Sequence, residues 1–303
     1  MYRFKMPGTG LSTEEQTEDL RLQFESFYNS GALRDILDLL QVDRDTLSEV
    51  YNGRRGEDGR ILETQVMGSN DVLEPLRSEL YPLLKELGFF DICTPLAASH
   101  SRIVVLAGSL NACNVRTDYA AGYIDSSTVS VDGLTCYRPV NPAERAASLY
   151  GSSADTEFGV MSEAFTRVFG SSGYSDEFSG DRNLNRISCI RRFSDDAGIC
   201  ARALYAAPSL EPDRRRADTG DTLDFYLERS GVSSDDSLLF VTSNRYWNRQ
   251  FLQLAHQMKR SGCYISFDII GTTPESGILT ADRYDPFQYI QDLIAILDRI
   301  RRF

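Results

Sequence analysis

The sequence predicts an α/β protein with a mostly parallel sheet, preceded by an N-terminal helical region. The β-branched run at residues 103–107 and the apolar run at 238–241 are typical of strands buried on both faces. Helix-length segments separate such runs, and strands that alternate with helices favour parallel pairing. A chain of 303 residues is long enough for one such domain with a helical appendage.

Residues 1–100 are predicted to form the appendage. Ser12 and Glu15 have the spacing of a capping box, which indicates a helix that continues to about Tyr28. Further helices are predicted at 33–40, 43–51 and 70–87, the last around Pro75 and Pro82. We find no reactive constellation in this region, so it is expected to pack against the rest of the chain or to bind a protein partner.

Residues 101–303 are predicted to form the α/β domain. Strands are expected at 103–107, 128–137, 187–193, 200–207, 238–241 and 264–270. Helices are expected at 111–124, 142–145, 156–169, 218–229, 246–260 and 286–300. The serine- and glycine-rich segment 170–183 is predicted to be a surface loop.

Composition excludes several classes of function. A formal net charge of -12 argues against a general nucleic-acid-binding surface, although a local basic pocket stays compatible with it. The six cysteines show no metal-type spacing, and reduced thiols in a cytoplasmic protein are expected. We see neither a signal peptide nor the roughly 18–20 uninterrupted apolar residues that a membrane span requires. No membrane partner and no bound metal are therefore expected.

Ligands of open α/β sheets bind beyond the carboxyl ends of the strands. In the loop after the first strand, Gly108 permits a tight turn, Ser109 precedes a helix whose N–H groups can face an anion, and Arg116 follows. The usual GxGxxG fingerprint is missing. Simple turn chemistry at this glycine is the alternative.

A second loop, 207–222, carries three arginines that end at Arg216. Asp218 and Thr219 suit the start of a helix, and Asp221 fits its first turn. Ligand contact and a capped helix behind a solvated basic loop both remain open.

The third loop follows the strand 238–241. Thr242 and Ser243 end that strand, and Arg245 and Arg249 are four residues apart on one helix face. Two guanidiniums at this place predict a clamp for a carboxylate or phosphate. Salt bridges for the arginines, and core packing for Trp247, are the alternatives.

Histidine occurs only at His100 and His256, and neither position suits a catalytic triad. Chemistry would therefore rest on carboxylates, arginines, hydroxyls and any metal that arrives with the substrate. Glu157, at a helix start, and Asp221 are the candidate bases, although helix capping alone would explain each. Arg138 follows a strand and can complete the pocket. The cofactor stays unknown.

Four of these segments occur in a recognisable order: IVVLAGS (103–109), TE (156–157), DTGDT (218–222) and TSNRYWNR (242–249). Together, over residues 102–271, they resemble the YdcF-like (ElyC/SanA-type) α/β family. In the family pattern Thr-Ser-x-x-His-x-x-Arg, Thr242, Ser243 and Arg249 match, while Tyr246 replaces the histidine. A polar Asn-Thr-x-Glu-Asn helix start is likewise altered here, at 218–222.

The resemblance implies a Rossmann-like, three-layer α/β/α domain with a pocket over its carboxyl edge. It also implies ligands of a nucleotide-like or envelope-metabolism type. Histidine chemistry is not expected here, because tyrosine titrates near pH 10.

The resulting hypothesis is a cytoplasmic protein that binds a small anionic ligand, nucleotide-like or phosphorylated, and that acts as a hydrolase or transferase at phosphate if it is an enzyme. One alternative is a non-catalytic interaction or sensor protein with a degenerate pocket. Another is a binder of the S-adenosylmethionine type.

Overall fold

The computed structural model describes residues 2–8, 10–51, 71–181, 183–194, 200–262, 264–272 and 284–303. The chain divides into two compact units. The first, here called the helical unit, comprises Met1–Ile92, Asn244–His256 and Ser276–Phe303. The second, the sheet unit, comprises Cys93–Ser243 and Gln257–Glu275. The boundary predicted at residue 100 differs from this division, because it placed the segments Asn244–His256 and Ser276–Phe303 in the same domain as the sheet.

The helices of the helical unit agree with those predicted. They are α1 (Thr13–Tyr28), α2 (Gly31–Leu40), α3 (Leu47–Tyr51), α4 (Arg77–Glu86) and, later in the chain, the first part of α9 (Trp247–Ser261) and α10 (Pro286–Arg302). Short 3₁₀ turns at Asp71–Leu76 and Asn244–Tyr246 precede α4 and α9. The predicted loop 52–60 lies outside the described residues. No helix in the described ranges is long and apolar enough to cross a membrane.

Local signals in the sequence explain where these helices begin. Ser12 Oγ accepts a hydrogen bond from the Glu15 N–H at 3.3 Å, and the Glu15 carboxylate accepts one from the Ser12 N–H at 2.8 Å. The capping box is therefore confirmed.

Trp247 is fully buried and donates from Nε1 to the Gly88 carbonyl at 2.8 Å, so the core-packing alternative holds for this residue.

The described residues of the sheet unit form seven strands: β1 (Arg102–Leu106), β2 (Ser130–Thr135), β3 (Tyr174–Ser179), β4 (Ser188–Phe193), β5 (Ala201–Ala206), β6 (Ser237–Ser243) and β7 (Ser266–Thr272). Their order is β3-β4-β5-β2-β1-β6-β7. Strands β5, β2, β1, β6 and β7 are parallel to one another, whereas β4 is antiparallel to both of its neighbours. The predicted α/β class with a mostly parallel sheet is confirmed.

Four helices of this unit connect the strands: α5 (Leu110–Ala121), α6 (Pro142–Ala146), α7 (Glu157–Phe169) and α8 (Thr219–Arg229). Helices α5 and α7 enclose one apolar core with the sheet. A Cβ atom on Gly133 of β2 would lie 3.2 Å from Phe165 of α7, whereas the adjacent Asp132 accepts a hydrogen bond from Tyr226 of α8. Since successive strand residues face opposite sides, helices cover both faces, which is the three-layer arrangement expected.

One element differs from its prediction. Segment 170–183 was predicted to be a surface loop, but residues Tyr174–Ser179 form the edge strand β3, paired antiparallel with β4. Most of its residues are exposed, including Tyr174 and Phe178 at more than half of their surface. Neither face of the strand is buried, so no alternating apolar pattern marked it in the sequence.

Candidate functional site

The strand order locates the place where an open α/β sheet binds its ligands. After β1 the chain places β2 beside it and then β3, β4 and β5 beyond β2, and it returns to the other side of β1 with β6 and β7. The connections after β1 and β6 therefore run in opposite directions, and open α/β sheets bind their ligands at the carboxyl ends of two such strands. The predicted site residues Gly108, Ser109, Thr242 and Ser243 follow or end those strands.

Arg116 of α5 lies at the carboxyl ends of these two strands and is only 2% exposed. Its Nη1 donates to the Leu106 and Ala107 carbonyls at 2.7 and 2.8 Å. Its Nε and Nη2 donate to Ser243 Oγ at 3.2 and 3.1 Å. The guanidinium thus links the end of β1 to the end of β6. It places a cation between these two strands, where their following connections run in opposite directions.

Gly108 makes room for that cation. A Cβ atom at this position would lie 3.1 Å from the Ala112 Cβ and 3.3 Å from Arg116 Nη1. Ser109 is the N-cap of α5, and its Oγ accepts a hydrogen bond from the Ala112 N–H at 3.3 Å. The capping leaves the earlier N–H groups of this helix to other acceptors.

Glu157 and Arg138 form the centre of the polar cluster at the end of β2. Glu157 is 5% exposed, and its Oε1 accepts hydrogen bonds from Thr135 Oγ1 at 3.2 Å and the Cys136 N–H at 3.3 Å. Its Oε2 accepts one from Arg138 Nε at 3.1 Å. Glu157 therefore both begins α7 and holds a buried guanidinium.

The rest of the Arg138 guanidinium is also engaged. Nη1 donates to Glu144 Oε1 at 2.6 Å, and Nη2 donates to the Gly108 carbonyl at 2.9 Å. Burial disfavours the charged form, but Glu157 and Glu144 outweigh that effect, so the pKa of Arg138 lies above its ordinary range. The nearby charge of Arg216 acts in the opposite direction. This residue joins the turn after β1, helix α6 and helix α7.

In the loop after β5, Asp221 serves the start of α8. Asp218 is the N-cap and accepts hydrogen bonds from the Gly220 and Asp221 N–H groups at 2.8 and 3.1 Å. Asp221 closes the capping box by accepting from the Asp218 N–H at 3.1 Å, and it also pairs with Arg215 at 3.1 Å. Thr219 is the first residue of the helix. Of the two alternatives for this loop, ligand contact and a capped helix, the capped helix accounts for the contacts of Asp221.

Arg216, the arginine predicted to contact a ligand, is half-buried and donates to the Ala217 carbonyl at 3.3 Å. The neighbouring Arg215 is the residue that pairs with the Asp221 carboxylate. At the end of β6, Thr242 and Ser243 are both buried, and Ser243 receives Arg116 as described.

Arg245 and Arg249 belong to the helical unit, whereas every other predicted site residue belongs to the sheet unit. Both pair with Asp292 of α10, a fully buried carboxylate. Arg249 Nη1 donates to Asp292 Oδ1 at 2.7 Å, and Arg245 Nε donates to Oδ2. The salt-bridge alternative is therefore present, although the bridges are buried and not on the surface.

The histidines make structural contacts. His100 Nε2 lies 3.1 Å from Asp268 Oδ2, and the same oxygen accepts the Leu96 and Ala97 N–H groups, each at 2.8 Å. His256 Nε2 lies 2.8 Å from the Arg299 carbonyl. His100 thus contacts a carboxylate that holds the backbone of residues 96 and 97, and His256 contacts a backbone carbonyl directly.

The thiols at the carboxyl edge are poor nucleophiles. Burial, with the charge of Glu157, raises the pKa of Cys113 and of Cys136 to about 12, so both stay protonated near neutrality. Within the ranges that the structure describes, we find no group of three His, Cys, Asp or Glu residues arranged to hold a metal ion.

The contribution of Glu144 was not predicted. Its segment, 142–145, indicated only a short helix that begins at a proline. The single available signal was an arginine placed directly after a buried strand, which requires a nearby carboxylate if it folds inward. Arg138 was recognised for its position, but its partners were not.

Fold and site together define a Rossmann-like α/β protein with buried and half-buried charged side chains at the carboxyl edge of its sheet. Comparisons of the chain with models of protein families, with curated proteins and with solved structures give no match. The resemblance to the YdcF-like family therefore stays a prediction.

Proposed function

We propose that the sheet unit binds a small anionic ligand, nucleotide-like or phosphorylated, over the carboxyl ends of β1 and β2. The observation that carries this proposal is the position of Arg138. Its guanidinium contacts the Gly108 carbonyl, Glu144 and Glu157, and is thereby held rigidly at the edge where open α/β sheets bind ligands. A cation fixed in advance loses little entropy when an anion binds.

Two further features support an anionic ligand. Helix α5 points its N-terminus at the same edge, and the positive end of a helix attracts phosphate and carboxylate groups. Arg216 is close enough to influence the pKa of Arg138, so two guanidiniums lie near one another. Such a pair is stabilised when an anion binds between or beside its members.

The residue after the second strand also bears on the ligand class. In Rossmann folds, a carboxylate near this place binds the ribose hydroxyls of NAD, and an arginine accommodates the 2′-phosphate of NADP. Here the residue is Arg138, not an acid. This favours a ligand with a phosphate on its ribose, or a simple phosphate ester, over the S-adenosylmethionine alternative, which needs a ribose-binding acid.

Turnover is a second part of the proposal. Glu157 would serve as the base, because its carboxylate lies beside Arg138 at the edge where the ligand is proposed to bind. Asp221 is committed to the α8 capping box and to Arg215, so it is the weaker candidate.

The test is isothermal titration of the full chain with adenosine 2′-phosphate, adenosine 5′-phosphate and unphosphorylated adenosine. We expect both phosphates to bind and adenosine to bind at least tenfold more weakly. In Arg138→Lys the charge remains but the fork is lost, and the affinity for the phosphates should fall about tenfold, or about 1.4 kcal/mol. Arg192→Lys, at an exposed pair with Glu177, is the matched control and should bind like the wild type.

The non-catalytic alternative rests on a specific observation: Arg138 and Arg215 are already satisfied by carboxylates of the same unit. If Arg138→Lys lowers the melting temperature while phosphate affinity stays unchanged, the arginine is structural and the proposal fails. The absence of binding by the wild-type chain to either phosphate at millimolar concentration would contradict it as well.

A further inference from the structure

We propose a second, separate oxyanion site in the helical unit, formed by Arg249 and Tyr246 and supported by Arg245 and Asp292. Its ligand is a small anion with two acceptor oxygens on one edge, a carboxylate or a phosphate. The site does not depend on the proposed function of the sheet unit, because none of its residues belongs to that unit.

Arg245 is the supporting residue. All three nitrogens of its guanidinium are used: Nε donates to Asp292, Nη1 donates to Gln288 Oε1 at 2.5 Å, and Nη2 donates to the Gln288 carbonyl at 3.0 Å. Its side chain is 12% exposed. Asp292 is fully buried, so Arg245 neutralises a charge that would otherwise be expensive to bury.

Arg249 differs in having an open edge. Only Nη1 is bound, to Asp292 Oδ1 at 2.7 Å. In the described part of the chain, Nε and Nη2 have no acceptor, and neither is among the buried polar atoms that lack a partner. The side chain is 17% exposed. These two nitrogens lie along one edge of the guanidinium and donate in parallel, which is the geometry of a bidentate oxyanion contact.

Another arginine of this protein shows how that edge is used. In the sheet unit, Nε and Nη2 of Arg191 donate to the two oxygens of Asp176, each at 2.7 Å. The corresponding edge of Arg249 has no such internal carboxylate among the described residues. A ligand carboxylate or phosphate can take the same place.

The charge balance of the cluster also favours an anion. Two guanidiniums share one carboxylate, so these three groups carry a formal charge of +1. The Tyr246 ring contacts both cations, with its centroid 5.0 Å from Arg245 Cζ and 4.8 Å from Arg249 Cζ. Tyr246 is half-buried, and its hydroxyl makes no hydrogen bond to the described residues, so it can donate to a ligand. One bound monoanion would neutralise the cluster.

An independent observation comes from Tyr289. This residue is 1% exposed, and Arg245 Cζ lies 5.0 Å from the centre of its ring. Its hydroxyl is buried without a hydrogen-bond partner in the described structure. Buried hydroxyls are nearly always bonded to protein, water or ligand, so an orphan in this cluster indicates that a polar occupant belongs nearby.

The experiment titrates the full chain with sodium phosphate and, separately, with sodium acetate at constant ionic strength. Binding is followed by the fluorescence of Trp247, the chain's only tryptophan and the neighbour of Tyr246 in sequence. The titration is repeated in Arg138→Lys, which alters only the site proposed in the sheet unit. A saturable change that survives in Arg138→Lys separates the two proposals.

We expect Arg249→Lys, which keeps a cation beside Asp292, to weaken binding about tenfold with little loss of melting temperature, and Arg249→Ala to abolish binding. Arg21→Ala, which removes the same charge from an exposed helix, is the control and should bind normally. Tighter binding of phosphate than acetate would identify a phosphate ligand, and the reverse order a carboxylate. Equal affinities of Arg249→Ala and Arg21→Ala, or no saturable change with either anion in the wild type, would overturn the site.

Discussion

The hydroxyl of Tyr226 donates a hydrogen bond of 2.8 Å to Oδ2 of Asp132, in the middle of the central strand β2. Asp132 is 2% exposed and also accepts from Ser130 Oγ at 2.7 Å. Burial raises the pKa of Asp132 from its ordinary value of 3.8 to about 6, although the two hydrogen bonds and Arg102 act in the other direction. The folded protein therefore binds this proton more tightly than the unfolded chain.

This relationship makes stability depend on pH. The contribution of protonated Asp132 is fully present below pH 3.8 and is lost as the pH rises through about 6. The amide in Asp132→Asn stays neutral and still offers Tyr226 an acceptor. We expect equal stability of the two proteins near pH 4, and an advantage for the variant on the order of 2–3 kcal/mol at pH 8.

Urea unfolding at a series of pH values measures this difference directly. Because only the difference between the two proteins is compared, titration of the other groups cancels. A difference that does not change between pH 4 and pH 8 would show that Asp132 ionises normally. Asp125→Asn, at an exposed turn, is the control for the charge change.

The buried ion pairs of the helical unit give a second prediction. Asp292→Asn leaves Arg245 and Arg249 without their carboxylate, and breaking a buried pair typically costs about 3–5 kcal/mol. Chemical unfolding should show a loss of that size. Asp45→Asn breaks a pair with Arg301 in which the aspartate is 90% exposed, and we expect a loss below about 1 kcal/mol. Similar losses in both variants would contradict the buried arrangement.

Glu157→Gln gives a third prediction, in the sheet unit. The substitution removes one of the two carboxylates on Arg138 and weakens the acceptor for Thr135 and the Cys136 N–H. We expect a loss of about 1–3 kcal/mol in the free energy of unfolding, since a charged hydrogen bond is lost inside the protein. Glu163→Gln, on the exposed side of the same helix, should change stability by less than about 0.5 kcal/mol.

Gly108→Ala gives a fourth prediction. The added Cβ would press on Ala112 and on the Arg116 guanidinium, so these neighbours must shift by a few tenths of an ångström. Stability should fall by about 1–3 kcal/mol, as is usual for overpacking, and phosphate affinity should fall with it. Gly151→Ala is a matched control, because a Cβ there meets nothing within 4 Å. Thermal unfolding of the two variants side by side provides the comparison.

The fold was largely predictable because its strands carry strong local signals. The runs at 103–107 and 238–241 are buried on both faces, and burial is what makes a strand visible as a continuous apolar run. The edge strand β3 gave no such signal, since it buries neither face. Ser12, Thr156 and Asp218 mark helix starts that depend only on neighbouring residues.

The candidate site was predictable only in outline. Loops after strands could be read from the sequence, and so the positions of Gly108 and Arg116 were found. The partners of Arg245 and Arg116 could not be predicted, because they lie far along the chain: Arg245 meets Asp292 47 residues later, and Arg116 meets Ser243 127 residues later. Whether an arginine faces a ligand or a carboxylate is decided by such distant contacts.

The edge strand β3 also affects the tendency of separate protein molecules to associate through their sheet edges at high concentration. An unpaired strand edge can template the addition of another strand, and β3 exposes the aromatic rings of Tyr174 and Phe178 there. Asp176 and Glu177 occupy its centre, and each is held in place by an arginine. A second chain would have to desolvate those charges in order to pair, so the same strand that escaped detection in the sequence also protects the protein from edge-to-edge aggregation.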